Sequence, residues 1–275
     1  MSLRFSSLGS GSEGNCLVVE SVTATATTRV LVDCGFGKRE LESRLALAGL
    51  TTKDIDAVLV THEHGDHIGG VFRAVNAYGW PVFLTYGTLV AVRGGAALAQ
   101  ISKVHELINI INPQITFQFG NFSVQPIAVP HDAREPVQYV LEDSDHRLGV
   151  LTDIGHPTAH VLRALHSLDA LLIECNHDAT MLSQSDYPHS LKRRIAGPYG
   201  HLDNEASTQI MAKIDLRRLR LVVGGHLSQS NNTPALAFDA IRRGLEKNVC
   251  SQANRSAIAI HIASQASGCE WQALM

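Results

Sequence analysis

Short apolar runs rich in valine, isoleucine and leucine recur along the chain and constrain its fold more than any other feature. Each run has about four to eight residues between turn signals, a pattern typical of buried β-strands. None approaches the roughly 18 apolar residues that a membrane-spanning helix needs. The runs predict strands at 16–19, 29–32, 57–60, 82–85, 115–119, 122–129, 137–141, 148–152, 170–173, 219–223 and 258–262.

Apolar residues also recur at helical spacing in segments between and after these runs. The predicted helices are 38–48, 88–100, 158–166, 205–214 and 234–247. Meander-like strands with peripheral helices indicate an α+β fold in which two sheets pack face to face and the helices lie outside. Because no linker, repeat or shift in composition divides the chain, we expect residues 1–275 to form a single domain.

Net charge and the N-terminal sequence limit the classes of partner. The formal net charge of −3 excludes a uniformly basic nucleic-acid-coating protein but permits a local basic face. The first residues contain no apolar core of a signal peptide, so we expect a cytoplasmic protein that does not bind membranes. No sequence feature indicates an oligomeric state.

The chain has 14 histidines, and three of them lie in one short run that follows the predicted strand 57–60. The run reads Thr61-His62-Glu63-His64-Gly65-Asp66-His67. In an extended chain alternate residues point the same way, so His62 and His64 can face one centre. A bend at Gly65 is expected to bring Asp66 and His67 around to it. This density of nitrogen and oxygen donors suits zinc or another first-row divalent ion.

Three further candidate ligands each follow an apolar strand. His131 comes after strand 122–129, Asp153 after 148–152 and His226 after 219–223. Sheets present ligands through the loops at their strand ends, which makes the repeated arrangement more informative than any one histidine. Each residue taken alone has an equally good interpretation as a structural or surface residue.

The combined pattern resembles the metallo-β-lactamase-fold hydrolases over essentially the whole chain. It consists of the H-x-H-x-D-H run, the isolated His131, the pair Thr152-Asp153, and His226 after a valine-rich strand. The resemblance implies an αβ/βα four-layer sandwich and two divalent metal ions, with zinc favoured and manganese or iron as alternatives. It implies that one ion is held by His62, His64 and His131, the other by Asp66, His67 and His226, and that Asp153 bridges both. Glu63 has no implied metal role.

Other motifs resemble the small bacterial YycJ-type subgroup, whose members are regarded as nucleases, including exonucleases on DNA. These motifs are residues 10–15, Asn176-His177-Asp178, and His226-Leu227-Ser228 with Asn231-Asn232. The segment 200–206 also resembles the G-H-x-x-x-x-A element of phosphodiesterases in this superfamily. That resemblance implies that His201 is a proton donor and, with Asp66, a catalytic residue, although Asp203 replaces the subgroup's usual serine. The alternative for His201 is a surface or capping residue before the next helix.

Five residues are candidates for supporting the metal ligands or binding substrate: Ser10, Asn15, Asn176, His177 and Asp178. Imidazole ligands are oriented by such outer hydrogen bonds. The Gly/Ser loop 10–15 has two interpretations, since its backbone amides can hold a phosphate in an anion-binding nest or can form a plain turn.

These features together predict a hydrolase that cleaves phosphodiester bonds by means of two metal ions, most readily a DNA nuclease or exonuclease. A phosphodiesterase acting on small cyclic phosphates or nucleotides is the first alternative, and a non-catalytic metal-binding interaction module is the second. From Asp153 to His226 is 226 − 153 = 73 positions, too few for a large inserted domain over the site.

Basic clusters bear on the choice between these substrates. They lie at 192–194, at 217–218 with Arg220, and at 242–243 with Lys247. A shared face for the three would support nucleic-acid binding, while solvated helix surfaces are the alternative. Aromatic residues make up 5% of the chain, and no stacking platform for single strands is visible.

Overall fold

Two seven-stranded sheets form the centre of the fold. The computed structural model describes residues 2–93, 101, 103–249 and 255–274. The strands are β1 (Ser2–Gly9), β2 (Cys16–Val22), β3 (Thr27–Val32), β4 (Ala57–Leu59), β5 (Val82–Thr85), β6 (Ile108–Ile111), β7 (Phe117–Phe119), β8 (Phe122–Ala128), β9 (Val137–Glu142), β10 (Arg147–Leu151), β11 (Ala170–Glu174), β12 (Leu221–Gly225), β13 (Ala259–Ile262) and β14 (Cys269–Leu274).

Each sheet is part antiparallel and part parallel. The first sheet has the order β14-β1-β2-β3-β4-β5-β6, and its strands are parallel from β3 to β6. The second has the order β13-β12-β11-β10-β9-β8-β7 and is parallel from β10 to β13. Parallel neighbours end at the same edge of a sheet, so the loops after β10, β11 and β12 lie together.

Helices cover the outer faces of both sheets. Those in the described residues are α1 (Lys38–Leu47), α2 (Gly65–Ile68), α3 (Val71–Tyr78), α4 (Tyr86–Val92), α5 (Ala159–Ala164), α6 (Ala179–Gln184), α7 (His189–Ile195), α8 (Asn204–Lys213) and α9 (Pro234–Lys247). Short 3-10 helices span Thr52–Asp54, His105–Leu107 and Arg255–Ala257. Within the described part of the chain, no helix is both long and apolar enough to cross a membrane.

Three buried apolar clusters separate the four layers. Strand alternation is visible in β2, where Val18 packs with the α1 and α3 side chains and Val19 packs between the sheets. In the second sheet, Leu172 faces the first sheet and Leu171 packs against α8 and α9. Side chains of one strand therefore enter two cores, as the period of two in a pleated strand requires. The expected α+β fold with two packed sheets and outer helices is confirmed.

Most predicted elements are present, with shifts at their ends. The predicted strand 115–119 begins only at Phe117, because residues 112–115 form a turn in which the Ile115 amide donates to the Asn112 carbonyl. The predicted helix 88–100 corresponds to α4, and its part at 94–100 lies outside the described residues. Strands β1, β6 and β14 and helices α2, α3, α6 and α7 were not predicted.

Candidate metal centre and active site

A first cluster of metal-binding side chains lies where β4, β8 and β10 end. It contains His62, His64, His131 and Asp153, whose donor atoms all lie within 4.8 Å of one another. His62 Nε2 is 3.2 Å from Asp153 Oδ2, and His131 Nε2 is 3.2 Å from His64 Nδ1. The structure therefore brings together the four residues that were expected to surround one ion.

The second cluster contains Asp66, His67, His226 and the same Asp153, again with donor atoms within 4.8 Å. His67 Nε2 lies 2.6 Å from Asp153 Oδ2, and His226 Nε2 lies 3.5 Å from Asp66 Oδ2. Asp153 is the residue common to both clusters, as the bridging arrangement requires.

Helix α2 turns the chain between the two clusters, and this differs from the bend expected at Gly65. Gly65 is the first residue of α2, and Asp66 and His67 follow in its single turn. Gly65 does not have a positive φ, and a Cβ added there would meet no atom within 4 Å. The expectation that this turn needs glycine is wrong, because helical geometry turns the chain without any special backbone conformation.

Three residues at or beside the clusters have strained backbones. Asp33, Asp153 and His226 have φ values of 62°, 45° and 54°. Residues with a Cβ rarely occupy this left-handed region, and they do so mainly at functional sites whose surroundings hold them in place. Each of these residues follows the end of an apolar strand. The left-handed backbone conformation therefore sets the direction of a polar side chain at the edge of a sheet.

Buried polar atoms without hydrogen bonds test whether a metal fits these residues. In the described part of the chain, His62 Nε2, His226 Nε2 and Asp153 Oδ1 are buried and make no hydrogen bond. Leaving such atoms unpaired costs about 1–3 kcal/mol each, and all three face the clusters. Imidazole nitrogens and carboxylate oxygens are the ligands that zinc and other first-row divalent ions take. The donor set fits divalent metal.

Asp33 supports the clusters and was missed in the sequence. Its Oδ2 atom lies 2.8 Å from His67 Nδ1 and accepts a hydrogen bond from the Thr61 hydroxyl at 2.7 Å. The Thr61 hydroxyl also lies 2.9 Å from His62 Nδ1. A carboxylate on one ring nitrogen fixes the tautomer and leaves the other nitrogen for a metal. Asp33 thus orients His67 directly, and Thr61 connects it to His62.

Glu174, at the end of β11, was also missed. It is fully buried, and Oε1 lies 2.7 Å from His201 Nδ1 and 3.0 Å from His226 Nδ1. Its Oε2 accepts hydrogen bonds from the backbone amides of Ile154 and Leu202. Glu174, Asp153, His201 and His226 form a third group close enough to hold an ion. Since four donors already satisfy Glu174, we interpret it as a residue that orients the two histidines.

Charges within the site shift several pKa values. Burial lowers the pKa of His131 to about 4, although Asp153 acts in the opposite direction. The lowered pKa keeps the His131 ring neutral near pH 7. Burial also lowers the pKa of His62, with a further contribution from neighbouring His67. Burial of His67 acts in the same direction but is outweighed by Asp153 and Asp33, which raise its pKa well above the ordinary value. The carboxylates therefore favour positive charge on the groups that they contact.

His201 lies beside the clusters and reaches the cleft surface. One fifth of its side chain is exposed, and its Nδ1 lies 3.5 Å from Asp153 Oδ1. Burial alone would lower its pKa, but Glu174 and Asp153 outweigh this effect and raise the pKa to about 9. A protonated imidazole next to the metal ligands can donate a proton to an oxygen bound there.

Three of the five residues expected to support the site contact its ligands. Ser10 Oγ accepts a hydrogen bond from the His226 amide, and Asn15 Nδ2 donates to Asp66 Oδ2. Asn176 Nδ2 donates to the His226 carbonyl.

The other two do not touch the ligands. Asp178 instead caps α6 by accepting from the Met181 amide, a use typical of aspartate at helix starts. His177 contacts Asn176 through Nδ1 at 3.3 Å and lines a neighbouring cavity.

The Gly/Ser loop 10–15 is a turn and not a phosphate nest. The amide of Gly11 donates to Asn15 Oδ1, and the amide of Gly14 donates to the Gly11 carbonyl. The amides of Ser10, Glu13 and Asn15 also donate to protein oxygens. The amides that a phosphate would need are already used inside the protein.

The three basic clusters do not share a face. Arg218 pairs with Asp169, which immediately precedes β11, and this places it at the sheet edge opposite the metal ligands. Arg242 lies in the second half of α9, where it pairs with Asp239 and Glu246. In α7, by contrast, Arg194 pairs with Asp132, next to His131 of the first cluster. The hypothesis of one broad basic face is wrong, and only the α7 cluster lies at the site.

A four-layer fold that presents a histidine and aspartate cluster at its strand ends is typical of metal-dependent hydrolases. The sequence profile described as "Beta-lactamase superfamily domain" matches residues 28–222. The chain therefore belongs to the β-lactamase superfamily and is a hydrolase with the metallo-β-lactamase fold.

Curated relatives and solved structures agree with this assignment. The chain is 33% identical over 247 residues to Exodeoxyribonuclease YycJ of Bacillus anthracis, covering 90% of each chain. It is 33% identical to Exodeoxyribonuclease WalJ of Streptococcus pneumoniae, covering 85% of each. Its fold matches Zn²⁺-bound PqqB from Methylobacterium extorquens with a TM-score of 0.68 at 15% identity, covering 99% of each chain.

Proposed function

We propose that this chain is a deoxyribonuclease that hydrolyses phosphodiester bonds with two divalent metal ions, zinc being the preferred metal and manganese or iron the alternatives. The observation that carries this proposal is the pair of donor clusters that share Asp153. His62, His64 and His131 would hold one ion, and Asp66, His67 and His226 the other. Bound there, the ions would supply a nucleophile from water near neutral pH and stabilise charge on the phosphoryl oxygens.

His201 is the residue proposed to protonate the leaving oxygen. Glu174 accepts from Nδ1, which leaves Nε2 as the ring nitrogen available for the transfer. Water attacks phosphorus and loses one proton to solvent, the ester P–O bond breaks, and the departing oxygen takes a proton from His201 to become a hydroxyl group. His201 then regains a proton from solvent. Such proton donation typically contributes about 10²- to 10⁴-fold to rate.

DNA is favoured as the substrate by the chain's similarity to two exodeoxyribonucleases over most of its length. The position of α7 supports the same choice, because Lys and Arg supply most of the sequence-independent affinity for nucleic-acid phosphates. Arg194 is more than half exposed and reaches Asp132 at the edge of the first donor cluster. A phosphate backbone entering the cleft would meet this helix first.

A substrate panel tests the proposed function. Metal-loaded protein is incubated with end-labelled duplex DNA, single-stranded DNA, RNA and cyclic nucleotides, beside the variants Asp66→Ala and Asp239→Ala. Asp239 is an exposed residue on α9 and serves as the matched control. We expect DNA degradation by the parent and the Asp239 variant and none by the Asp66 variant. Turnover of only the cyclic nucleotides would contradict the DNA assignment.

A further inference from the structure

A second cavity opens beside the proposed active site, between α6 and α7. Its volume is about 380 Å³, which lies in the range of about 300–1,000 Å³ found for small-molecule sites. Residues lining it include His177, Leu182, Lys192, Arg193, Ala196 and Asp203. None of these six belongs to the two donor clusters.

The floor of the cavity is joined to the segment that carries His201. His177 and Asp203 are bridged as neighbouring strands, and the Asn204 amide donates to the His177 carbonyl at 2.9 Å. Asp203 is only two residues beyond His201. The cavity therefore lies on the His201 side of the metal clusters, where the leaving part of a substrate would be.

The polar groups in the cavity are complementary to a nucleotide. Lys192 and Arg193 bring two positive charges to its α7 wall. Among the described residues Arg193 has no ion-pair partner, and the Lys192 ammonium reaches only the Ser183 carbonyl at 2.8 Å. Leu182 and Ala196 provide apolar surface between these charges and the floor. A phosphate fits the α7 wall, and a sugar or base fits the apolar surface.

The floor of the cavity offers two polar side chains, His177 and Asp203, that can form hydrogen bonds with a ligand. His177 is 2% exposed, and within the described residues its only side-chain hydrogen-bond contact is through Nδ1, so Nε2 is without a partner. Asp203 uses Oδ1 to cap α8 by accepting from the Ala206 amide, and its Oδ2 makes no hydrogen bond with the described residues. The free imidazole nitrogen and carboxylate oxygen would pair with sugar hydroxyls or base amino groups.

From this arrangement we infer that the cavity binds the nucleotide on the leaving-group side of the scissile bond, with a phosphate on Lys192 and Arg193. This inference rests on the proposed function, because only a polymeric phosphodiester has a second phosphate to place there. Asp203 repels a phosphate from the floor, which fixes the direction in which the nucleotide lies.

The test compares Arg193→Gln and Lys192→Gln/Arg193→Gln with the parent enzyme. Arg163→Gln is the matched control, since Arg163 is an exposed arginine on α5 outside the cavity. KM and kcat are measured on a short DNA oligonucleotide and on bis(p-nitrophenyl) phosphate, which has no second phosphate to place on Lys192 and Arg193. Inhibition of the small ester's hydrolysis by deoxyadenosine monophosphate, as its 5′ and 3′ isomers, is measured in parallel.

We expect Arg193→Gln to raise the oligonucleotide KM and the inhibition constant of one isomer about tenfold, as loss of a charge-assisted contact does. We expect kcat on both substrates and KM on the small ester to be unchanged. Ala196→Trp, which narrows the cavity and leaves the charges in place, should have the same effect. Unchanged constants in all three variants would overturn the inference.

The result separates this inference from the proposed function. If the parent hydrolyses only the small ester, the DNA assignment fails, and the inhibition constants alone decide whether the cavity binds nucleotides. If the parent degrades DNA but inhibition is the same in the parent and all variants, the function stands and the cavity is not a nucleotide site.

Discussion

At the scale of single residues, the site depends on carboxylates that orient histidines. Glu174 holds Nδ1 of both His201 and His226, and Asp33 holds Nδ1 of His67. Fixing one ring nitrogen decides which nitrogen faces the cleft, so these carboxylates determine what the histidines can do. In the proposed mechanism, Glu174 therefore links metal binding by His226 to proton donation by His201.

Replacing His201 with alanine should slow the hydrolysis of DNA by about 10²- to 10⁴-fold, because the departing alkoxide then lacks a proton donor. Hydrolysis of bis(p-nitrophenyl) phosphate should fall much less, since its leaving group is a weak base that departs unprotonated. The two rates are compared at equal metal content, with His160→Ala on α5 as an exposed control. Equal losses on both substrates would remove His201 from proton transfer.

Replacing Asp33 with asparagine should weaken zinc binding by about 10- to 100-fold, because His67 loses the carboxylate that fixes its tautomer. Competition with a chromophoric chelator measures the affinity. Asp56→Asn, an exposed residue just before β4, should leave it unchanged. An unaltered affinity in Asp33→Asn would show that the Asp33 contact is not needed for binding.

The sequence predicted the residues of the two donor clusters but not the residues that orient their histidines. His131, Asp153 and His226 were found because each follows an apolar strand. Asp33 follows 29–32 and Glu174 follows 170–173 in the same way, so the same signal marked them. They were missed because a position after an apolar strand does not by itself identify a site residue, and only tertiary structure shows which buried carboxylate touches which ring.

At the scale of elements, an ion cluster links the first three strands. Glu20 on β2 is buried, and its two oxygens lie 2.5 Å from Nε of Arg4 on β1 and of Arg29 on β3. Burial acts to raise the pKa of Glu20, but the two arginines outweigh it and lower that pKa. A lowered pKa means that the cluster stabilises the fold when Glu20 is ionised and ceases to do so as pH falls through the folded-state pKa.

Glu20→Gln should therefore reduce the free energy of unfolding near pH 7 by about 1–3 kcal/mol, a range that allows for the partial exposure of both arginines. As the pH is lowered to about 4 and below, the parent loses this contribution and the difference between the two proteins should shrink. Urea unfolding of both proteins at several pH values measures this difference in the free energy of unfolding. A difference that stays constant with pH would contradict the assigned charge of Glu20.

Elements with apolar runs were predicted well, and polar ones were not. Helix α9 begins and ends where the sequence indicated, since its apolar stripe and the Pro234 start are both local signals. Strand β1 was missed because its serines interrupt the apolar pattern. Ser6 donates to the Cys269 carbonyl on β14, so pairing with a strand far along the chain makes its burial possible.

At the scale of the whole molecule, one core joins the two sheets. Val30 and Leu59 from the first sheet pack with Tyr139 and Val223 from the second. Asp153 adds a polar connection, because it contacts His62 after β4 and His226 after β12. We propose that residues 1–275 form one domain that unfolds as a unit.

The two tryptophans allow this proposal to be tested, because Trp80 and Trp271 both pack in the cluster on the outer face of the first sheet. Their fluorescence reports that half, while far-UV circular dichroism reports both sheets. We expect the two signals to give the same unfolding midpoint, and added zinc to raise both together. Different midpoints would show that the halves unfold separately.

The central claim, that two ions share Asp153, is tested most directly by counting metal ions with native mass spectrometry. The parent, Asp66→Ala and His64→Ala proteins are loaded with zinc, and their DNA hydrolysis is assayed in the same samples. We predict two ions in the fully active parent and one in each variant, with activity lost in both. A parent that binds one ion at full activity would contradict the two-metal account.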